Sequence, residues 1–264
     1  MVFSLFENRK KKFQIPYDVG EKKQIWKLHI DFFQPNHLIV ETRKNGEIFC
    51  TVLDIQNQTI LQPEFALPTD WYCSISQIAN HVMFITRYEG THNPIAASII
   101  AFDIENQKIL WEKLKAHFVE AQPEVVCIIQ NEAISWLETK SGKTTHKPSQ
   151  FSQKKTRVIL PQHYLQSDEY FTWIKDFLKT KCIEDIVGAI DYWEDSHTFL
   201  ISYYQPYNQQ LTNYLSAFDK HGNELWSYLL QANLKGISDE TFFIMNQNVI
   251  FVQNKRFLYV KKLP

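Results

Sequence analysis

Apolar residues in this chain come in short dense runs separated by polar turn formers, and the runs recur at fixed intervals. Three of them read His37-Leu-Ile-Val-Glu-Thr-Arg43, His81-Val-Met-Phe-Ile-Thr-Arg87 and His197-Thr-Phe-Leu-Ile-Ser-Tyr203. Each leads to a second recurring element: Leu53-Asp54-Ile55-Gln56-Asn57-Gln58, Phe102-Asp103-Ile104-Glu105-Asn106-Gln107 and Phe218-Asp219-Lys220-His221-Gly222-Asn223. His81 follows His37 by 44 residues, and Asp103 follows His81, as Asp219 follows His197, by 22 residues. Dense apolar runs bounded by turns suit strands covered on both faces. A self-similar unit of this length is the signature of a repeat fold.

Inside each unit a second strand leads to the aspartate: Ile48 to Leu53, Ala97 to Phe102 and Tyr214 to Phe218. Turn formers follow, with Asn57, Asn106 and Gly222 placed to adopt the positive φ of a tight hairpin. A third strand then begins at Thr59, Lys108 or Glu224. Such a unit has the size of one β-propeller blade. Weaker copies lie at Glu124 to Ile129 with Ile134 to Lys143, and at Asn248 to Val252 with Phe257 to Val260. The stretch from Arg157 to Cys182 breaks the pattern. There Phe171, Ile174 and Leu178, with Trp173 and Phe177, have helical spacing behind Ser167-Asp168-Glu169, which supplies an N-cap and an acidic first turn. This predicts one short helix near 168–180 inserted among the strands, with an irregular strand pair as the alternative.

Ile25-Trp26-Lys27-Leu28 resembles the strand ends around Trp111 and Trp226, yet no complete unit precedes it. A leading strand of this kind would complete the last sheet and remove two open edges. The expectation is an all-β fold: one domain over residues 1–264, a single β-propeller of about six four-stranded blades, with five to seven open, closed by the N-terminal strand. Trp26, Trp111 and Trp226 would then pack between neighbouring blades.

Composition narrows the function classes. Of the 264 residues, 44% are hydrophobic and 14% aromatic, ample for a core. A net charge of -1 gives no field that would gather phosphates, which argues against a nucleic-acid partner. No run approaches the roughly 20 apolar residues of a membrane helix. Met1 to Phe6 is too short for a signal core, and Lys10-Lys11-Lys12 follows it instead of preceding it. Arg9 to Lys12 with Lys22 and Lys23 reads as a solvated basic patch. Cys50, Cys73, Cys127 and Cys182 form no Cys-x-x-Cys and read as reduced, buried thiols. These features predict a cytoplasmic bacterial protein, monomeric or weakly oligomeric.

The segments Ala101-Phe102-Asp103 to Trp111 and Ala217-Phe218-Asp219 to Trp226 resemble the blade signature of pyrroloquinoline-quinone-like propeller repeats, in which Ala-x-Asp precedes a turn and a Leu-Trp strand. The first unit departs from it, with Gln62 where Trp would stand. Over most of its length the chain also resembles a domain-of-unknown-function family of the Bacteroidetes. The resemblance implies a propeller and no particular activity, because propellers carry enzymes and scaffolds alike. A quinone enzyme would want acidic metal ligands and an exported compartment, so no cofactor is expected.

Candidate chemistry is sparse. None of the nine histidines has metal-ligand spacing, so no metal is expected, although equivalent positions such as His37 and His81 could converge. Arg43 and Arg87 share one repeat position, with Tyr203 as the third copy. Together with Tyr204 and Tyr207, on a loop expected to run to Asn208, they form the candidate ligand or partner site, suited to an anion. Salt bridges of the arginines to Glu41 or Glu89 are the plain alternative, and His92-Asn93-Pro94 lies on the same long loop as Glu89. Asp191, Glu194 and Asp195, on an aromatic and acidic stretch, and His163, beside Pro161 and the expected helix, are the catalytic candidates. Ser141-Gly142-Lys143-Thr144 lacks the upstream glycine of a phosphate loop and reads as a turn. The functional expectation is a binding module for an unknown protein or small anionic ligand. The alternative is a hydrolase or lyase acting on a small anionic or carbohydrate-like ligand.

Overall fold

The computed structural model describes residue 12 and residues 14–69, 71–89 and 95–263. Arg9 to Lys11 of the basic patch and His92-Asn93-Pro94 lie outside the described residues. The chain divides into two compact units, one built on Glu21–Arg157 and one on Val158–Pro264 together with Ile15–Gly20. A two-residue strand, β1 (Tyr17–Asp18), comes first and belongs to the second unit.

The first unit holds three four-stranded antiparallel sheets, each a meander in which spatial order equals chain order. They are β2 (Gln24–Ile30), β3 (His37–Lys44), β4 (Glu47–Asp54) and β5 (Thr59–Ala66); β6 (Cys73–Ala79), β7 (Val82–Glu89), β8 (Ile95–Asp103) and β9 (Lys108–Leu114); and β10 (Ala116–Ala121), β11 (Val125–Gln130), β12 (Ala133–Glu138) and β13 (Thr144–Thr145). The dense run in β7 has a simple cause. Met83 and Ile85 face the core shared with Ile39 and Val52, while Phe84 faces the core shared with Val126 and Ile128. Both faces of the strand are covered, so alternation of side-chain direction leaves no polar position. Burying one such side chain is worth about 1.5–3 kcal/mol.

The repeated aspartates organise the hairpins. Asp54 Oδ1 accepts the backbone N–H groups of Gln56 and Asn57, and Asn57 Nδ2 donates to Oδ2. Asp103 does the same with Glu105 and Asn106, and Asp219 with His221 and Asn223. Burial alone would raise the Asp103 pKa, but donation from Asn106 and Glu105 outweighs it and holds the carboxyl below its usual value. The asparagines are thus spent on the aspartates. Positive φ falls one residue later, at Gln58 and Gln107, and at Gly222 as expected.

The second unit contains β14 (Val158–Ile159), β15 (Gln162–Leu165), α1 (Glu169–Thr180), β16 (Val187–Glu194), β17 (Thr198–Tyr207), β18 (Gln210–Asp219), β19 (Glu224–Leu234), β20 (Phe242–Met245), β21 (Asn248–Gln253) and β22 (Phe257–Lys262). Its two five-stranded sheets run β15-β16-β17-β18-β19 and β1-β22-β21-β20-β14. The predicted helix is α1, set between β15 and β16. Phe171 and Leu178 anchor it on Ile190, Ile201 and Phe218. Asp168 has extended backbone at the N-cap, but its carboxylate accepts Leu165 N–H instead of a helical donor. None of the five sheets closes on itself, and the unit start expected near 160 supplies β14 and β15 to two different sheets.

The ends of the chain do share a sheet, through a different segment from the one expected. β1 pairs with β22, and Arg256 Nε and Nη2 donate to Asp18 at 2.7 and 2.6 Å. Ile25 to Leu28 instead lies in β2, the first strand of the first sheet, where a register shift between Ile25 and Lys27 turns Trp26 outward, 57% exposed. Trp111 and Trp226 do pack between sheets. Trp111 Nε1 donates to Thr139 O at 2.8 Å, and Trp226 stacks on Phe251. Gly142, at φ +65, lies under the Trp111 ring, which a Cβ there would approach to 2.7 Å, so the Ser141 to Thr144 segment is a packing turn.

Candidate functional site

The two arginines of the expected anion site lie in the first unit and are engaged. Arg43 Nε donates to Glu41 Oε1 at 2.8 Å, and its two terminal nitrogens donate to the carbonyls of Trp71 and Cys73. Its guanidinium carbon sits 4.6 Å from the Trp26 ring and 4.8 Å from the Trp71 ring. Arg43 is therefore an internal clamp joining two sheets, a correction to its placement on a rim. His29 Nε2 donates to the other Glu41 oxygen at 2.7 Å. Burial pushes Glu41 up and the bonds from His29 and Arg43 pull it further down, so it is held below the usual carboxylate value. Burial also lowers His29, more than its bond to Glu41 raises it. Arg87 is half-exposed and pairs with Glu112 on β9 at 2.9 Å, not with Glu89.

The tyrosines belong to the second unit and do not form a loop. Tyr203 through Tyr207 continue β17, which pairs with β18 as far as Tyr207 and Gln210. β16 pairs no further than Tyr204, so Pro206 costs no ladder bond on that side. The turn comes at Asn208 and Gln209, both with positive φ. Tyr203 is buried and stacks on Tyr214, and burial raises its pKa. Tyr204 is buried with its hydroxyl donating to Ser238 O at 3.0 Å. Only Tyr207 of the three is exposed, at 64%.

Of the four catalytic candidates, two come together. His163 and Asp191 face each other across β15 and β16, with Nδ1 2.6 Å from Oδ1. A carboxylate only accepts, so Nδ1 carries a proton, and in the neutral form of the imidazole Nε2 is the acceptor. The other Asp191 oxygen accepts Thr241 N–H at 2.9 Å and Thr241 Oγ1–H at 2.7 Å. Glu194 instead takes Lys220 Nζ at 2.8 Å, whose bond holds it below its ordinary pKa. Asp195 folds the turn before Thr198 through the N–H groups of His197 and Thr198.

Two features stand out beyond these residues. On α1, Tyr170 and Trp173 are exposed at 53% and 56%, one turn apart, and Tyr170 stacks on Tyr164 of β15. Trp173 served in the sequence only as part of a helical pattern. In the first unit a cavity of about 260 Å³ opens between the first two sheets, lined by Asp31, His37, Ile39, Val52, Leu61, Gln62, His81, Ile104 and Glu105. His37 and His81 meet there edge to face, ring centres 5.5 Å apart. Buried Asp31 sets this geometry. Its Oδ1 accepts Phe33 and Asn80 N–H, and its Oδ2 accepts His81 N–H at 2.9 Å. Their shared repeat position was the signal for the pair, and the third copy, His197, lies in the second unit with Nδ1 2.8 Å from Ser196 Oγ. Among the described residues no group of three or more His, Cys, Asp or Glu could hold a metal.

Residues 34–111 match the model of one family, described as a domain of unknown function (DUF4905). The match runs from just before β3 into β9 and includes every cavity-lining residue except Asp31. It adds no support to the likeness to quinone-type repeats. No curated protein matches the chain.

Proposed function

We infer that this protein is a binding module of the β-propeller kind, its five sheets serving as blades, and that it recognises a protein partner through an aromatic surface of the second unit. The observation that carries this reading is the run Tyr164, Tyr170, Trp173, of which the Tyr170 and Trp173 side chains stand more than half exposed. Tyr and Trp give large rigid contact area with little side-chain entropy to lose, which is why they concentrate in binding hot spots. The absence of any long apolar helix among the described residues is consistent with a soluble site of action. The cytoplasm fits the cysteines, since Cys50, Cys73 and Cys127 are buried, while Cys182, expected to be buried, is exposed.

The test compares the full chain with Tyr170→Ala combined with Trp173→Ala, both immobilised and exposed to native lysate. Exposed rings contribute little to folding, so the melting temperature should hold while captured partner falls at least about tenfold, the worth of a hot-spot residue. Equal capture by both proteins would remove this surface from the reading.

A second reading, a hydrolase or lyase, draws on the His163 and Asp191 contact. A carboxylate that fixes the tautomer of an imidazole is the arrangement of a general base. His163→Gln would then abolish turnover and leave partner capture unchanged.

A further inference from the structure

The geometry points to the cavity between the first two sheets as a binding site for a small aliphatic amine in its ammonium form. Its walls sort into two chemistries. Ile39, Val52, Leu61 and Ile104 present aliphatic surface, whereas Asp31, Glu105, Gln62, His37 and His81 present polar groups. Both formally charged lining residues are acids, and among the described residues no Lys or Arg lines the space. An anion would enter against two carboxylates with no counter-cation, while an ammonium group would be drawn in. Gln62 carries an amide oxygen, Glu105 a carboxylate, and imidazole both an acceptor nitrogen and a π-face, all of which suit N–H donors of a cation.

The site is held in shape before any ligand arrives. His81 is the second of two consecutive residues at positive φ, 51° at Asn80 and 69° at His81, a conformation that disfavours side chains other than those of Gly, Asn, Asp and His. Asp31 fixes that turn by accepting both N–H groups, and His81 O in turn accepts Ile104 N–H at 3.0 Å, tying the polar mouth to the apolar wall. A preorganised pocket keeps its binding energy from being spent on ordering. The volume lies just below the roughly 300 Å³ at which drug-sized sites begin, so the ligand is small. A metal would need a group of at least three ligands in place, and no such group occurs among the described residues.

The full chain would be titrated with n-butylammonium, n-butyrate and n-butanol while the ring proton signals of its nine histidines are followed by NMR. His37→Gln and His81→Gln identify the two signals of interest. The expected result is a saturable shift of both with n-butylammonium, a weaker one with n-butanol and none with n-butyrate. Leu61→Trp, which fills the space from a half-buried position, should abolish the shift. Glu105→Gln, at an exposed carboxylate whose Oε1 lies 3.6 Å from His81 Nδ1, should weaken it about threefold, the worth of an exposed ion pair. Binding of n-butyrate as tight as that of n-butylammonium, a response that survives Leu61→Trp in a folded protein, or no saturable shift would each overturn the proposal.

Discussion

Asp31 in the first unit and Asp191 in the second are both buried, and both fasten one sheet to the backbone of another. They divide their oxygens differently. Asp31 gives every acceptor to backbone, taking the N–H groups of Phe33, Asn80 and His81. Beside it, the His81 imidazole packs edge to face on His37 and lies 3.6 Å from Glu105 Oε1. Asp191 spends one oxygen on His163 and the other on Thr241. The same residue type therefore builds a fixed turn in one place and orients a titratable side chain in the other.

The sharpest way to break this comparison is truncation. Asp31→Ala leaves three backbone N–H groups without their acceptor and should cost about 3 kcal/mol or more in urea unfolding. Asp191→Ala strands one N–H, since the Thr241 hydroxyl can rotate and His163 is partly exposed, and should cost about 2 kcal/mol. Equal losses would mean that the two seams are energetically alike.

Isosteric replacement separates them more finely. In Asp31→Asn the new NH₂ must face an N–H donor, a clash worth about 1–2 kcal/mol. In Asp191→Asn the NH₂ can donate to His163 Nδ1 once the imidazole changes tautomer, so the loss should stay below about 1 kcal/mol. Unfolding midpoints that fall in the opposite order would reverse the assignment of backbone and side-chain roles.

The smallest effect belongs to the exposed counterpart, Asp18 with Arg256. Donation from Arg256 lowers the Asp18 pKa from 3.8 to about 2. A carboxyl whose pKa is lower in the folded state stabilises that state above its unfolded value, and the contribution is lost as pH falls from about 4 to about 2. Asp18→Asn should flatten the acid limb of the stability profile in that window alone. A variant with an unchanged acid limb would show that the pair does not hold β1 on β22.

Repeat units were legible because dense apolar runs and Asp-centred turns are local: Asp54, Asp103 and Asp219 each fold their own hairpin. The helix over Glu169–Thr180 was legible for the same reason, its apolar positions lying on one face. Trp26 was misplaced because sequence similarity to Trp111 and Trp226 says nothing about a register shift, which depends on pairing with β3. Tyr203 and Tyr204 were misread as loop because their polar tips and Pro206 suggest exposure, whereas stacking on Tyr214 and the bond to Ser238 bury them.

By itself, then, the sequence determined the strands, their spacing and the turn that ends each hairpin, since those follow from the hydrogen bonds and burial of neighbouring residues. Tertiary structure alone decided that Arg43 is sealed between two indoles, that His163 meets Asp191, and that His37 meets His81 over a cavity. Each of these contacts joins residues at least 17 positions apart, so only the packing of strands could bring them within reach.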